Sequence, residues 1–260
     1  MAERVQRFLA RCGICSRRKA EDLIRAGRVL VNQVPAMLGS CVNSSDSVMV
    51  DGSLVRPENN RYVMLCKPRG VLSSVGHEQS SNLTDFVVVP ERVFPVGRLD
   101  RDSEGLILMT NDGDLAQRIA HPSFETVKTY VVWVDRPVRE PDLVRLQAGL
   151  MVDGRKVIVH GMRRLGSDCV EVQIHEGRKH VVKLLFGALG FRVRGLKRTA
   201  IGSLLLGRLK PGEWRDLTAD EIAGLRGVFN KGQNPPGYVR GARKVGSAVK
   251  GQRSIRRFGK

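Results

Sequence analysis

The stretch from Phe94 to Gly113 constrains this chain more than any other. It reads Phe-Pro-Val-Gly-Arg-Leu-Asp-Arg-Asp-Ser-Glu-Gly and runs without a break into Leu-Ile-Leu-Met-Thr and Asn-Asp-Gly. Residues 106–110 form a short continuous apolar run closed by a turn signal, the pattern of a strand buried on both faces. The glycine-bracketed loop before it therefore carries Asp100, flanked by Arg98 and Arg101, up to a buried strand. Two readings of Asp100 follow from the local sequence. It caps the turn, or nearby cations keep it charged away from bulk water so that it serves as a nucleophile. The passage also imitates a calcium loop from Asp100 to Gly105, but Asn111 stands where the twelfth-position Glu belongs. The apolar strand in between cannot wrap a cation, so calcium is excluded.

Further strands are expected over 62–66, 71–74, 126–134 and 170–174, with helices around 115–119 and 181–189. Strands interrupted by isolated helices, without regular alternation, place the chain in the α+β class. Residues 1–60 read as a unit of their own. Val5, Phe8 and Leu9 recur at helical spacing and the chain breaks at Gly13; Ser16 caps a second helix that Gly27 ends. Strands follow at 29–31, turning at Asn32-Gln33, and at 48–50, ending in the hairpin signal Asp51-Gly52.

Net charge narrows the class of partner. The chain carries a formal +18, and its last 39 residues hold ten cations, no acid and eight glycines. Residues 230–260 are expected to form a disordered basic Gly-rich tail, of the kind that counterion release draws to nucleic acid. On the two N-terminal helices Arg4, Arg7, Arg11, Arg17, Arg18, Lys19, Arg25 and Arg28 face only Glu21 and Asp22, which suits the phosphates of a folded RNA. No apolar run approaches the roughly 18 residues that cross a bilayer, and the N-terminus lacks the apolar core of a secretory signal. Five cysteines, an odd number, fit a reducing compartment, so a cytoplasmic location is expected. Cys12 and Cys15 lack the second ligand pair that zinc needs. The five histidines show no metal spacing and receive no role.

The run from Glu3 to Asn32, helix, Ser-Arg-Arg, helix, Gly-Arg and strand in order, resembles the S4-type RNA-binding domain. The passage Gly97–Gly113 is similar, almost letter for letter, to the signature of the RsuA/RluB family of ribosomal RNA pseudouridine synthases. Lys67-Pro-Arg-Gly, Lys128-Thr-Tyr, Glu176-Gly-Arg and 196–202 leading to 212–218 agree in order. The resemblance implies an RNA-binding domain over 1–60 and a catalytic domain over 61–229, built on a mixed, mainly antiparallel sheet with flanking helices. It implies that a uridine is flipped out, its N-glycosidic bond broken and the base rejoined through carbon five, with no cofactor or metal. Asp100 matches the catalytic aspartate, Tyr130 the tyrosine packing on the flipped base, and Lys183 an arginine that ion-pairs the aspartate. Arg98 matches a residue that helps evert the base.

Arg4, Arg7, Arg17, Arg18, Lys19, Arg25, Arg28, Lys67, Arg101, Arg178, Lys197 and Arg198 are expected to contact RNA. The expected partner is ribosomal RNA or a ribosomal assembly intermediate, met by a monomer away from any membrane. The sequence departs from the family at Val181, Lys183 and Leu184, and lysine lacks the bidentate fork of arginine; Ser103 replaces a threonine. The basic tail favours the large subunit. A small-subunit enzyme and a non-catalytic assembly factor are the alternatives.

Overall fold

The computed structural model describes residues 2–76 and 80–227; the expected tail at 230–260 lies outside the described residues. The N-terminal unit packs the helices Val5–Arg11 and Arg17–Arg25 on a four-stranded sheet in the order Val34–Pro35, Val29–Val31, Val48–Val50, Ser53–Leu54. Ser16 caps the second helix by accepting from the Lys19 amide at 3.3 Å. Both hairpin turns put two residues in the left-handed region, Asn32 and Gln33 at φ 50° and 68°, Asp51 and Gly52 at 49° and 78°. Cys12 and Cys15 are core residues beside Val5, Leu9 and Ile24. Burial pushes the Cys12 thiol up to about 12, so it packs as a small apolar group.

A short extended segment leads to the second unit, and Glu58 forms the joint. Its amide donates to the Arg11 carbonyl at 2.9 Å. Its carboxylate accepts from the Arg92 amide at 3.2 Å and from Asn111 Nδ2 at 3.4 Å. The same carboxylate fills the space beside Gly13, where an added Cβ would lie 2.1 Å from Glu58 Oε1. Asn111 also holds the linker directly, accepting from the Arg61 amide and donating to the Asn59 carbonyl at 2.8 and 2.9 Å.

The second unit is built on a nine-stranded sheet. Its path runs Gly161–Arg164, Cys169–Ile174, Lys128–Val134, Val193–Ile201, Glu104–Thr110, Tyr62–Lys67, Trp214–Asp216. Neighbours are antiparallel except at one seam, where Glu104 and Gly105 lie parallel to Lys197 and Arg198. As its unbroken apolar run demanded, Glu104–Thr110 is covered on both faces. Ile107 and Met109 join one core with Val63, Val132, Val172 and Phe186, while Leu106 and Leu108 join another with Leu115, Ile119, Ile201 and Leu225. The seam depends on Gly105, at φ 109°: a Cβ there would stand 2.3 Å from the Arg198 carbonyl oxygen.

Three expectations change. Residues 71–74 form no strand, only a single bridge from Leu72 to Asn82: their backbone bonds Lys67, Ser81 and Leu83, and the Ser73 hydroxyl holds the Asp100 loop. The strand expected from 126 begins at Lys128. The helix expected over 181–189 is Val181–Gly187, with Gly190 at φ 76° beyond it.

Candidate functional site

Asp100 stands just before the seam, on a loop that the preceding segment locks in place. Ser73 brackets Leu99: its Oγ donates to the Leu99 carbonyl at 2.6 Å and accepts from the Leu99 amide at 3.0 Å. Gly70 and Arg101 exchange hydrogen bonds, amide to Arg101 carbonyl at 2.7 Å and Arg101 Nε to Gly70 carbonyl at 3.0 Å. Beneath them Lys67, fully buried, donates to the carbonyls of Pro68 and Val71 at 2.8 Å and of Arg101 at 3.4 Å. Burial pulls its ammonium down to about 8, against the opposing pull of Asp102, Asp100 and Glu104. The expectation that Lys67 binds RNA is corrected: it cannot reach solvent, and it positions the loop.

Lys183, on the first turn of the helix Val181–Gly187, brings its Nζ to 3.1 Å from Asp100 Oδ2 and 2.6 Å from Asp102 Oδ1. Burial lowers the Lys183 ammonium, but its bonds to Asp102 and Asp100 outweigh this and raise it; the bond from Lys183 holds Asp102 below the usual carboxylate range. One ammonium is thus divided between two carboxylates, where the fork of an arginine would span one. His180 completes the arrangement, with Nε2 3.4 Å from Asp100 Oδ1. It received no role from the sequence. It stands just before the helix, at φ 59° in the left-handed region, and no periodicity of the sequence marks it.

Asp100 and His180 line a cavity of about 280 Å³. Tyr130, almost fully buried on Lys128–Val134, lines it with Asp100, Arg98, Arg178 and Arg198. Three residues that line this cavity each carry a buried donor with no hydrogen-bond partner: Ser103 Oγ, Arg178 Nη2 and Arg198 Nη2. Lys128, also in the lining, donates to the carbonyls of Thr126 and His175 at 3.1 and 3.2 Å, and burial lowers it to about 8. A cavity this small, walled by an aromatic ring and unpaired donors beside a carboxylate, suits one flat ring carrying carbonyl oxygens.

The expected RNA contacts separate into groups. Arg198 is 2% exposed and its Nε donates to the Leu106 carbonyl at 2.8 Å, so it faces the cavity and not a phosphate backbone. Arg178 pairs with Glu176 at 2.6 Å at the cavity rim. Lys197, on the opposite face of its strand, pairs with Glu104 at 3.4 Å; alternation along the strand takes it away from Asp100. In the N-terminal unit Arg4 bonds the Gly39 carbonyl, Arg25 pairs with Asp22 at 2.8 Å and Arg28 with Asp51 at 2.5 Å. Arg7 pairs with Glu3 at 3.4 Å and, across the joint, with Asp114 at 2.6 Å. Arg17, Arg18 and Lys19 are exposed and have no ion-pair partner among the described residues, so this triplet is the free cationic face of the unit.

Comparison with known proteins agrees with this geometry. Residues 61–188 match the family model of the RNA pseudouridylate synthases and residues 3–48 that of the S4 domain. An uncharacterized RNA pseudouridine synthase of Aquifex aeolicus is 44% identical over 86% of this chain and 94% of its own length. The ribosomal large subunit pseudouridine synthase B of Bacillus subtilis is 39% identical over 89% and 99%. A crystal structure of a pseudouridylate synthase superposes with a TM-score of 0.64 at 32% identity, covering 85% of this chain and 99% of that one.

Proposed function

The chain belongs to the RsuA/RluB family of RNA pseudouridine synthases, intramolecular isomerases, here with an S4 domain in front, and from that premise we propose that it acts on a uridine of large-subunit ribosomal RNA. In this isomerisation the C1′–N1 bond breaks and a C1′–C5 bond forms, while one proton leaves C5 and one arrives at N1. Nothing is gained or lost overall, so the protein has only to hold, charge and turn the base.

The observation that carries the reading is Asp100 held between Lys183 and His180 at the mouth of the Tyr130 cavity. The flipped base stacks on Tyr130, worth roughly 1–3 kcal/mol per stacked base, which offsets the few kcal/mol of unstacking. The unpaired donors of Ser103, Arg178 and Arg198 donate to the two carbonyl oxygens of the uracil and keep the detached ring from leaving. Asp100 is the reacting carboxylate, Lys183 and His180 orient it, and Arg98 at the rim fills the gap that the everted base leaves. Arg17, Arg18 and Lys19 hold a neighbouring part of the folded RNA. The large subunit is supported by the similarity to synthase B and by the basic character of residues 222–260.

Pseudouridine mapping of both ribosomal RNAs tests this in cells whose only copy of the gene carries Asp100→Asn. One large-subunit pseudouridine should disappear while RNA binding by the purified variant stays within about twofold. A modification that persists, or one lost from the small subunit alone, would overturn the assignment.

A further inference from the structure

Asp100 borders a second and larger space. On the far side of the Arg98–Asp102 loop lies a basin of about 700 Å³ that shares Arg98, Asp100, Lys179 and His180 with the uridine cavity. Five cations line it: Arg69, Arg98, Arg101, Lys179 and Arg194, all exposed. Its two acids, Asp100 and Asp102, are already bound to Lys183. None of the five cations has a carboxylate partner among the described residues. Arg69 Nη2 donates to the Arg194 carbonyl at 3.2 Å, Arg194 Nη2 to the Asp135 carbonyl at 3.3 Å and Arg101 Nε to the Gly70 carbonyl. By contrast Arg7, Arg11, Arg25, Arg28, Arg61, Arg163 and Arg215 are paired to acids, while Arg17 and Arg18 on the N-terminal unit share with these five the lack of an ion-pair partner among the described residues. Carbonyl tethers fix the guanidinium planes yet leave their charge and remaining N–H groups unneutralised, which is how a preformed anion site is built.

Arg69 is seated further by an absence. The strand Val193–Ile201 has glycine at 195, where a Cβ would come within 2.7 Å of Arg69 Nη2 and 3.0 Å of Trp133 Cε3. Gly195 thus lets the Arg69 guanidinium lie across the strand beside Trp133.

We propose that this basin seats the phosphodiester backbone flanking the target uridine, with Arg69 and Arg194 each holding one phosphate of the strand as it leaves the cavity. The assignment rests on the reading of the cavity as a uridine site; the sequence pattern pointed to neither arginine. Because both residues act on phosphates remote from the reacting bond, they bind ground and transition states alike, so their loss appears in KM and not in kcat.

The experiment compares the full-length protein with Arg69→Ala/Arg194→Ala, and with Arg208→Ala/Lys210→Ala as a charge-matched control whose residues are exposed and line neither space. The substrate is an in vitro transcript of large-subunit ribosomal RNA. Removing both arginines should raise KM about tenfold with kcat unchanged. By fluorescence anisotropy with the labelled transcript, the slope of log Kd against log salt should fall by about 1.4, two single-strand contacts at about 0.7 each. The control should match the wild-type KM. Gly195→Ala removes no charge but displaces Arg69, and should give part of the rise in KM. An unchanged KM and slope, or a loss confined to kcat, would overturn the basin. Wild-type protein that forms no pseudouridine would instead count against the uridine reading, and the anisotropy slope would still report on the basin.

Discussion

Replacing Lys67 by methionine isolates the electrostatic cost of locking the Asp100 loop. The ammonium is fully buried with its pKa lowered to about 8, against about 10.5 in an unfolded chain. Between these values the unfolded state binds more protons than the folded one, so Lys67 makes stability rise with pH. The whole shift corresponds to about 3 kcal/mol at 1.36 kcal/mol per pH unit. Titrating both states from pH 7 to pH 10 recovers most of that. Lys128, shifted the same way, is present in both proteins and cancels in the comparison. At pH 7 methionine removes the buried charge but leaves the Pro68 and Val71 carbonyls without this donor, at about 1–3 kcal/mol each. The measurement is a set of urea unfolding curves for wild type and Lys67→Met at pH 7, 8, 9 and 10. The stability gap should move by about 2–3 kcal/mol in favour of the wild type as pH rises. A gap constant within about 0.5 kcal/mol would refute a strongly lowered Lys67.

Lys183→Met should lower kcat about 100-fold, the scale of removing one preorganised electrostatic partner. Lys183→Arg, which keeps the charge and adds a fork, should stay within about tenfold of wild type in single-turnover assays. Gly105→Ala forces a Cβ against the Arg198 backbone at the sheet's parallel seam and should cost at least about 3 kcal/mol in urea unfolding, beyond the usual glycine penalty of a strand. A stable Gly105→Ala protein would mean that the seam opens without loss.

The parts of this fold legible in the sequence are those whose signals are local. Asn32-Gln33 and Asp51-Gly52 mark hairpins because their own backbone must enter the left-handed region. The strand Glu104–Thr110 is legible because burial on both faces leaves an unbroken apolar run. The helix Glu140–Ala148 is not, since only Leu143 and Leu146 are buried along it and no apolar stripe repeats. The Asp153-Gly154 hairpin after it, between Leu150–Val152 and Arg155–Val157, carries a local turn signal, but its strands bury only Val152 and Val157 and show no apolar alternation. At the site, Asp100, Tyr130 and Lys183 are found by motif, and the structure does bring them to one place. What fails is the sorting of cations. Lys67 and Lys197 look like Arg69 and Arg194 in one dimension, and only the sheet decides which of them faces a carbonyl nest, an acid or open solvent. His180 was missed for a related reason: its relation to Asp100 crosses 80 residues and exists only when the helix docks.

The joint at Glu58 determines how this protein could be recombined with its relatives. A chimaera cut at residue 60 would carry Glu58 with the incoming domain and leave Asn111 behind, so a partner with another residue at 111 would receive an acid without its amide donor. Gly13 travels in the same half and leaves that carboxylate the room it occupies. Positions 58 and 111 therefore form a compatibility code between the two halves, with glycine at 13 a condition within the first, and they should vary together across natural relatives. Exchange of the RNA-binding half has a boundary defined by a hydrogen-bonded and ion-paired set, the Arg7–Asp114 pair included, and not by a point along the chain.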